Sequence, residues 1–394
     1  MIGLNKDVFE KLDDINYIPV VASLITPSKE PYFLNGKALT FYQTNSIMKY
    51  RKYLINPFYH DKSYQELIDN NSLIPDPLVF ADSGGLQELM IENGEIKSPE
   101  DTLLWQEKYT DIGFSLDRIP FKKNIGTVKV GWTFDEVDFE KHALTTKERI
   151  ERAMKVRTEY KSFKYYAIIQ GIEYEHYKTW KSIIDTEGID GWCCKSPSNS
   201  PANLAETAVY VLQNLDKPVH FLGIGQLTKS IILYYAKRYY KHPFSFDSSS
   251  YDSGVQYRRY NLPFYFNGFD VIKYNDENKY DIQNFSEFCC CPACKELSKI
   301  IDNPDMERYV GFLISLHNVH QNVQMFSYLE NIYKDSEKMK NFVKNYFKED
   351  TGNKILDVFN YIDDAMKHGN IEAKRKWKHI FLENVKTTKQ STLF

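Results

Sequence analysis

Val219-His220-Phe221-Leu222-Gly223, an amphipathic segment over Leu227–Tyr240, then Pro243-Phe244-Ser245-Phe246-Asp247: this stretch decides the reading of the chain. Two short apolar, β-prone runs joined by a helix-length segment make a strand–helix–strand unit. The same alternation runs upstream. Pro77–Ala81, Gly113–Leu116, Tyr165–Ile169 and Gly188–Cys194 read as strands, and residues 17–25 are expected to supply another. Thr146–Lys161 and Ala202–Leu215 read as helices, the first with Thr145 and Glu148 in capping-box spacing. Strands that are apolar almost throughout belong to a parallel sheet covered by helices. Eight such units close into a barrel; six, with 17–25 as a seventh, can be marked from the sequence.

The runs also end alike, on Asp82, Asp117, Gln170, Gly223 and Asp247. In an α/β barrel the C-terminal strand ends line one mouth, so these groups would converge there. A single Asp after a strand more often caps a helix or starts a turn. The recurrence, not any one residue, points to a site.

Composition narrows little. The chain has 394 residues, 42 % hydrophobic and 26 % charged, with a formal net charge of −3, so the total charge predicts no polyanion partner. A local basic face remains compatible with that total. Charge appears by Lys6 and Asp7, which reads against a secretory signal, and no apolar run approaches the roughly 18–20 residues that span a bilayer. The expectation is a cytoplasmic protein with no membrane partner.

Four of the six cysteines lie between 289 and 294. Cys289-x-Cys291-x-x-Cys294 puts three thiolates in one tight loop, which suits tetrahedral zinc better than a disulfide framework. His317 or His320, downstream on one helical pattern, would complete the set, and Cys290 should point away. Four protein ligands leave no position for water, so the zinc is expected to be structural. Zinc deaminases also bear cysteine pairs, but they need His-x-Glu upstream and Pro-Cys-x-x-Cys. Here Pro292 lies inside the pair and no His-x-Glu precedes it. Helical patterns follow at Met306–Tyr333, 337–347, 355–366 and 372–384, the last with Lys374-Arg375-Lys376-Trp377-Lys378. The expected organisation is an α/β chain: a (β/α)8 TIM barrel over 1–285, a zinc-binding subdomain over 286–330, and a C-terminal helical segment with a basic patch over 331–394.

Several stretches together resemble the queuosine- and archaeosine-type guanine transglycosylases. Phe80-Ala81-Asp82-Ser83-Gly84-Gly85-Leu86-Gln87 is similar to their Asp-Ser-Gly-Gly-Phe-Gln, and Ile169-Gln170-Gly171 to Val-Gln-Gly. Phe221-Leu222-Gly223-Ile224-Gly225 is similar to Leu-Met-Gly-Val-Gly, and Phe246-Asp247-Ser248-Ser249-Ser250-Tyr251 to the archaeal Phe-Asp-Ser-Ala-Ser-Tyr. The cysteine loop follows in order, and His317-Asn318 matches the His-Asn at the family's zinc histidine, which favours His317 over His320. The resemblance covers about 77 to 326. It implies a barrel enzyme in which Asp247 attacks the sugar C1′ of a guanosine nucleotide and Asp82 serves as general acid and base. It assigns Asp117 to the N–H edge of the base, and Ser83, Gln170, Gly171 and Gly223 to the base pocket. Gly84 and Gly85 would let backbone approach closely. Arg258 and Arg259, between Tyr257 and Tyr260, become candidates for the nucleic-acid backbone, as does the Lys374–Lys378 cluster, which reads equally as a solvated face.

Two departures bear on substrate. Where the bacterial tRNA enzymes have a glycine-rich strand for an aminomethyl-deazaguanine, this chain has Gly191-Trp192-Cys193-Cys194-Lys195-Ser196. The archaeal C-terminal RNA-binding domains have no counterpart after the zinc region. Together these resemble most the transglycosylases that insert 7-deazaguanines into DNA. The expected reaction replaces guanine in DNA with 7-cyano-7-deazaguanine. The alternatives are tRNA as the polymer, or a zinc-bearing nucleic-acid-binding protein without catalysis. Accessory DNA-modification proteins and a homodimer complete the expected partners.

Overall fold

The structure is a computed structural model that describes residues 11–21, 33–90, 97–123, 132–158, 162–195, 200–249, 258–262, 271–275 and 277–382. Residues 22–25 of the first expected strand, Lys161, Ser196, Ser250, Tyr251, Tyr257 and the terminal residues 383–394 lie outside these.

Eight parallel strands form one sheet: β1 (Ile15–Pro19), β2 (Lys52–Ile55), β3 (Leu78–Ala81), β4 (Ile112–Phe114), β5 (Lys164–Gln170), β6 (Gly191–Lys195), β7 (Val219–Leu222) and β8 (Phe244–Ser248). Neighbours in the sheet are neighbours in sequence, and β8 pairs with β1. The remaining edges, β1 and β2, meet at a Val20–Leu54 bridge, with Val21 N donating to Leu54 O at 2.8 Å. The sheet is thus all but closed, as an α/β TIM-like barrel.

Strand alternation sorts the apolar side chains into layers. Ile18, Leu54, Leu78, Phe80, Ile112, Phe114, Tyr166, Ile168 and Cys193 fill the interior. Their sequence neighbours Tyr165, Ala167, Ile169, Trp192, Cys194, Val219 and Phe221 face outward onto the helices. Helices Pro57–Asp69, Pro99–Tyr109, Phe139–Val156, Tyr174–Ile184, Pro201–Asn214 and Leu227–Lys237 follow the strands in turn. The position over β8 and β1 is covered by the far half of the long helix Glu307–Ile332. Its Phe326 ring lies 4.8 Å from Tyr17 and 5.1 Å from Phe246.

Two expectations need correction. Lys52–Ile55 is a barrel strand that the sequence pattern did not reveal. The helix expected to begin after Thr145 begins at Phe139, and Thr145 lies inside it, its hydroxyl donating to Lys141 O at 2.9 Å. A threonine that back-bonds one turn upstream satisfies itself inside a helix as readily as it caps one.

The C-terminal helices Ser336–Tyr346 and Glu349–His368 belong to the same apolar core as the outer barrel helices. Tyr235 stacks on Phe359 with centroids 3.6 Å apart. Asp363 accepts from Tyr235 Oη at 2.8 Å, Arg238 at 2.8 Å and Tyr239 Oη at 2.9 Å.

Candidate active site and metal centre

The strand ends bring the sequence-marked acids to one mouth. Asp82 follows β3, and its carboxylate accepts from Ser83 N at 2.7 Å and from Asn56 Nδ2 at 2.9 Å. Gln106, buried under the mouth, donates its amide to Asp82 O at 3.0 Å and Phe114 O at 2.9 Å, tying the ends of β3 and β4. Ser83 links two acids, because its hydroxyl donates to Asp117 Oδ1 at 3.2 Å while its N–H holds Asp82. Asp117 Oδ2 accepts from Gln170 Nε2 at 2.6 Å, and Gln170 Oε1 is buried without a hydrogen bond. A buried carbonyl oxygen with no partner among the described residues can accept from a ligand donor.

The tight turn after β3 explains its glycines. Gly84 sits at φ +85°, and a Cβ on Gly85 would stand 2.6 Å from Asp117 Oδ1. Gly171 is different. Its carbonyl accepts from Tyr177 Oη at 2.8 Å, and a Cβ there would strike His176, so packing against helix Tyr174–Ile184 accounts for it without a ligand.

Asp247, within β8, faces the mouth from the other side. Its Oδ1 accepts from Gly223 N at 2.7 Å and from His220 Nε2 at 3.1 Å, whereas Oδ2 carries no hydrogen bond among the described residues. His220 is fully buried against the Phe80 and Phe114 rings, and its Nδ1 meets Ser245 Oγ at 2.9 Å. A carboxylate only accepts, so Nε2 carries the proton and Nδ1 accepts from the serine. This histidine lies in the quoted stretch, where the sequence reads it as part of an apolar run. The available signal was a polar side chain at an inward position of a buried strand.

Burial raises the pKa of both Asp82 and Asp117. For Asp82 the opposing Ser83 N–H comes next, then the nearby charge of Asp247, which raises it further, and Asn56 and Lys195 offset part of the rise. Asp117 is pushed up to about 6 by burial, against its hydrogen bond from Gln170 and with the charge of Asp82 adding to the rise. A carboxyl with a raised pKa facing a carboxylate held by donors can serve as an acid–nucleophile pair.

Behind these acids, Glu88 is clamped by Arg149 at 2.8 Å and Arg118 at 2.7 Å, and Arg149 also donates to Asp117 O at 3.3 Å. The Glu88 carboxylate is buried, and this ion-paired wall fixes the backbone that presents Asp117.

Cys289, Cys291, Cys294 and His317 are buried, with their ligand atoms all within 4.8 Å of one another. The sulfurs stand 3.6, 3.5 and 3.1 Å from His317 Nδ1. His317 Nε2 donates to Asn261 O at 2.7 Å, which leaves Nδ1 as the ligand atom. Gln321 Nε2 and Tyr260 Oη reach Cys289 and Cys294 at 3.3 and 3.4 Å, and Tyr260 stacks on the His317 ring at 4.1 Å. Asn318 binds the same strand, donating to Arg259 O and accepting from Asn261 N. Adjacent His and Asn therefore hold strand Arg259–Asn261 between them. His320 stands outside the cluster, and Cys290 is exposed as expected. These four residues could hold a metal ion.

The expected backbone-gripping residues are less free than their charge suggested. Arg258 pairs with Glu307, and Tyr260 is consumed by the cysteine cluster rather than offered to a polymer. Arg259 is exposed on its strand. In the C-terminal cluster, Lys374 pairs with Glu206 at 2.7 Å, Lys376 with Asp364 at 2.6 Å and Arg375 with Glu372 at 3.8 Å. The expected basic patch is largely neutralised from within.

Among the described residues no helix is long and apolar enough to cross a membrane. The sequence matches no protein-family model and no curated protein.

Proposed function

We propose that the protein is a base-exchange transglycosylase that replaces guanine in DNA with a 7-deazaguanine, 7-cyano-7-deazaguanine by resemblance. One observation carries the reading: Asp247 has one oxygen held by two donors and the other without a partner among the described residues, across the mouth from a buried Asp82 with a raised pKa. Asp247 Oδ2 attacks C1′ of the target nucleotide, the C1′–N9 bond breaks, and Asp82 delivers a proton to the departing guanine. The incoming base then loses its N9 proton to Asp82 and attacks C1′, releasing the Asp247 ester. The steps parallel a retaining glycosidase, with a base in place of water as the second nucleophile. Asp117 and Gln170 offer acceptors to the N–H edge of the base, with Ser83 bracing Asp117.

Zinc is the ion proposed for the cysteine cluster. Zinc bonds of about 2.3 Å to sulfur and 2.0–2.1 Å to nitrogen, at tetrahedral angles, put S and N about 3.5 Å apart, which the Cys289 and Cys291 distances of 3.6 and 3.5 Å fit. Three cysteines and a histidine fill its shell, so its part is to hold strand Arg259–Asn261 against the outer wall of the barrel, and the acids do the chemistry. A cytoplasmic location and accessory proteins for strand opening or base supply accompany this reading.

The test incubates the protein with labelled guanine and either duplex DNA or bulk tRNA. Label in DNA is expected. Label in tRNA alone would move the substrate to tRNA, and label in neither polymer would favour a binding protein without catalysis. Asp247→Ala should lose all exchange while keeping the wild-type thermal midpoint, and an active Asp247→Ala protein would remove the nucleophile assignment.

A further inference from the structure

Six successive strands, β3 to β8, bring a group to the mouth: Asp82, Asp117, Gln170, Lys195, Gly223 and Asp247. The proposed reaction uses all of these except Lys195. It ends β6, in register with Gln170 on one side and Leu222 on the other. Cys193, two residues earlier on the same face, lies in the barrel interior, so Lys195 also points inward. Its Nζ is 2.8 Å from where a Cβ on Gly223 would sit, and Gly223 N is a donor that holds Asp247. Its charge also reaches Asp82. Among the described residues this ammonium makes no hydrogen bond and no ion pair.

A second lysine sharpens the point. Lys229, in the first turn of helix Leu227–Lys237, is 5 % exposed, and burial, followed by the charge of Lys195, pushes its pKa down to about 8. The charge of Lys195 bears on Lys229, so the two like charges disfavour a further cation beside Lys195.

We infer that Lys195 reads the exchanged base, donating to an acceptor on the ring edge between Asp117 and the glycosidic nitrogen and setting the sign of the substituent that the pocket accepts. This rests on the base-exchange reading. A base held as the proposed reaction requires, with its N–H donors on Asp117 and Gln170 and its glycosidic nitrogen at Asp247, would turn its carbonyl and then its C7 position toward the strand between them, β6. Lys195 therefore faces the carbonyl oxygen and the C7 substituent. An ammonium there attracts a carbonyl oxygen or a nitrile nitrogen and repels an aminomethyl cation.

The full-length protein and its Lys195→Met and Lys195→Gln variants are titrated calorimetrically with guanine, 7-cyano-7-deazaguanine and 7-aminomethyl-7-deazaguanine. Labelled-guanine exchange is measured alongside on the polymer that accepts it. Wild type is expected to bind both neutral bases at least tenfold more tightly than the cationic one. Lys195→Met should close that gap from both sides, with weaker neutral and stronger cationic binding. Lys195→Gln keeps a donor without the charge, so it should retain the neutral bases and lose the rejection of the cation. Unchanged discrimination in both variants, or a wild-type preference for the cationic base, overturns the role of Lys195 while continued guanine exchange upholds the reaction. A wild-type protein that neither binds nor exchanges any base overturns both.

Discussion

Asp117 is useful because its surroundings make it costly. Its folded pKa of about 6 stands above the 3.8 of an unstructured chain, chiefly because the carboxylate is buried. A raised acid contributes stability that is complete below the unfolded value and lost as pH rises through the folded one. Ionised Asp117 therefore costs the fold about 3 kcal/mol above pH 6, by the worth of a two-unit shift. Asp117→Asn should accordingly raise the thermal midpoint at pH 8, lose that advantage near pH 4, and abolish exchange. Melting curves at the two pH values check the first part, and a variant less stable than wild type at pH 8 would refute it. Protonation of Asp117 should also raise the KM for free base as pH falls below about 6, because a neutral carboxyl is the poorer acceptor for N–H donors. In the proposed reaction His220 would act through Asp247, as a positioning residue. His220→Phe keeps a flat ring among Phe80 and Phe114 but removes one donor from Asp247. A hydrogen bond to a charged group is worth about 1.5–3 kcal/mol, so kcat should fall roughly 10- to 100-fold. The KM for free base should barely move, and an equal change in KM would count against a role confined to the nucleophile. The acids themselves were legible in the sequence, because each closes an apolar run. His220 was not, because its role depends on an Asp 27 positions away that only strand pairing brings to it.

At the scale of elements, the cysteine loop and helix Glu307–Ile332 join the candidate metal site to barrel closure. The first half of the helix supplies His317 and Asn318 to strand Arg259–Asn261, and the second half supplies Phe326 to β1 and β8. The outward faces of β2 and β3, through Tyr53, Ile55, Val79 and Ala81, lie in one cluster with Cys289, Cys291 and Cys294. Removing the ion should therefore disturb the barrel wall and not merely a surface loop. Purified protein is expected to carry one zinc per chain, and its cadmium form should have thiolate charge-transfer absorption. Chelation should lower the thermal midpoint by roughly 10 °C, the equivalent of several kcal/mol, and release hydrogen-exchange protection at Tyr260 and Asn261. Stripping the metal with no change in midpoint would separate the two functions of the helix. The cysteine spacing made this element readable from the sequence. The spacing left His317 and His320 open, the His317-Asn318 resemblance favoured His317, and the geometry places His317 with the three sulfurs. Lys52–Ile55 shows the opposite case. Four residues with a lysine at one end carry too little periodicity to mark a strand, and only the ring of seven others demands it.

For the whole molecule, the question is where a polymer could lie. The C-terminal helices are fastened to the barrel by the Tyr235–Phe359 stack, the Asp363 network and the Lys374–Glu206 pair, so their cations serve the fold first. Glu206 is 2 % exposed, and Lys374→Ala would leave its carboxylate buried beside an empty space. Breaking one side of a buried pair costs about 3–5 kcal/mol, although the half-exposed Lys374 end should bring the loss toward the lower figure. The expected outcome is a lowered midpoint with an unchanged salt slope for nucleic-acid binding. A phosphate-contacting lysine behaves in the opposite way, reducing the slope by about one unit and leaving stability nearly intact. Under the proposed function Arg259, exposed on the strand that His317 and Asn318 hold, should reduce the salt slope on substitution by Ala. The two variants together test whether the polymer runs past strand Arg259–Asn261 or over the C-terminal helices. A flattened salt slope in Lys374→Ala with an undisturbed one in Arg259→Ala would move the binding surface to the helices.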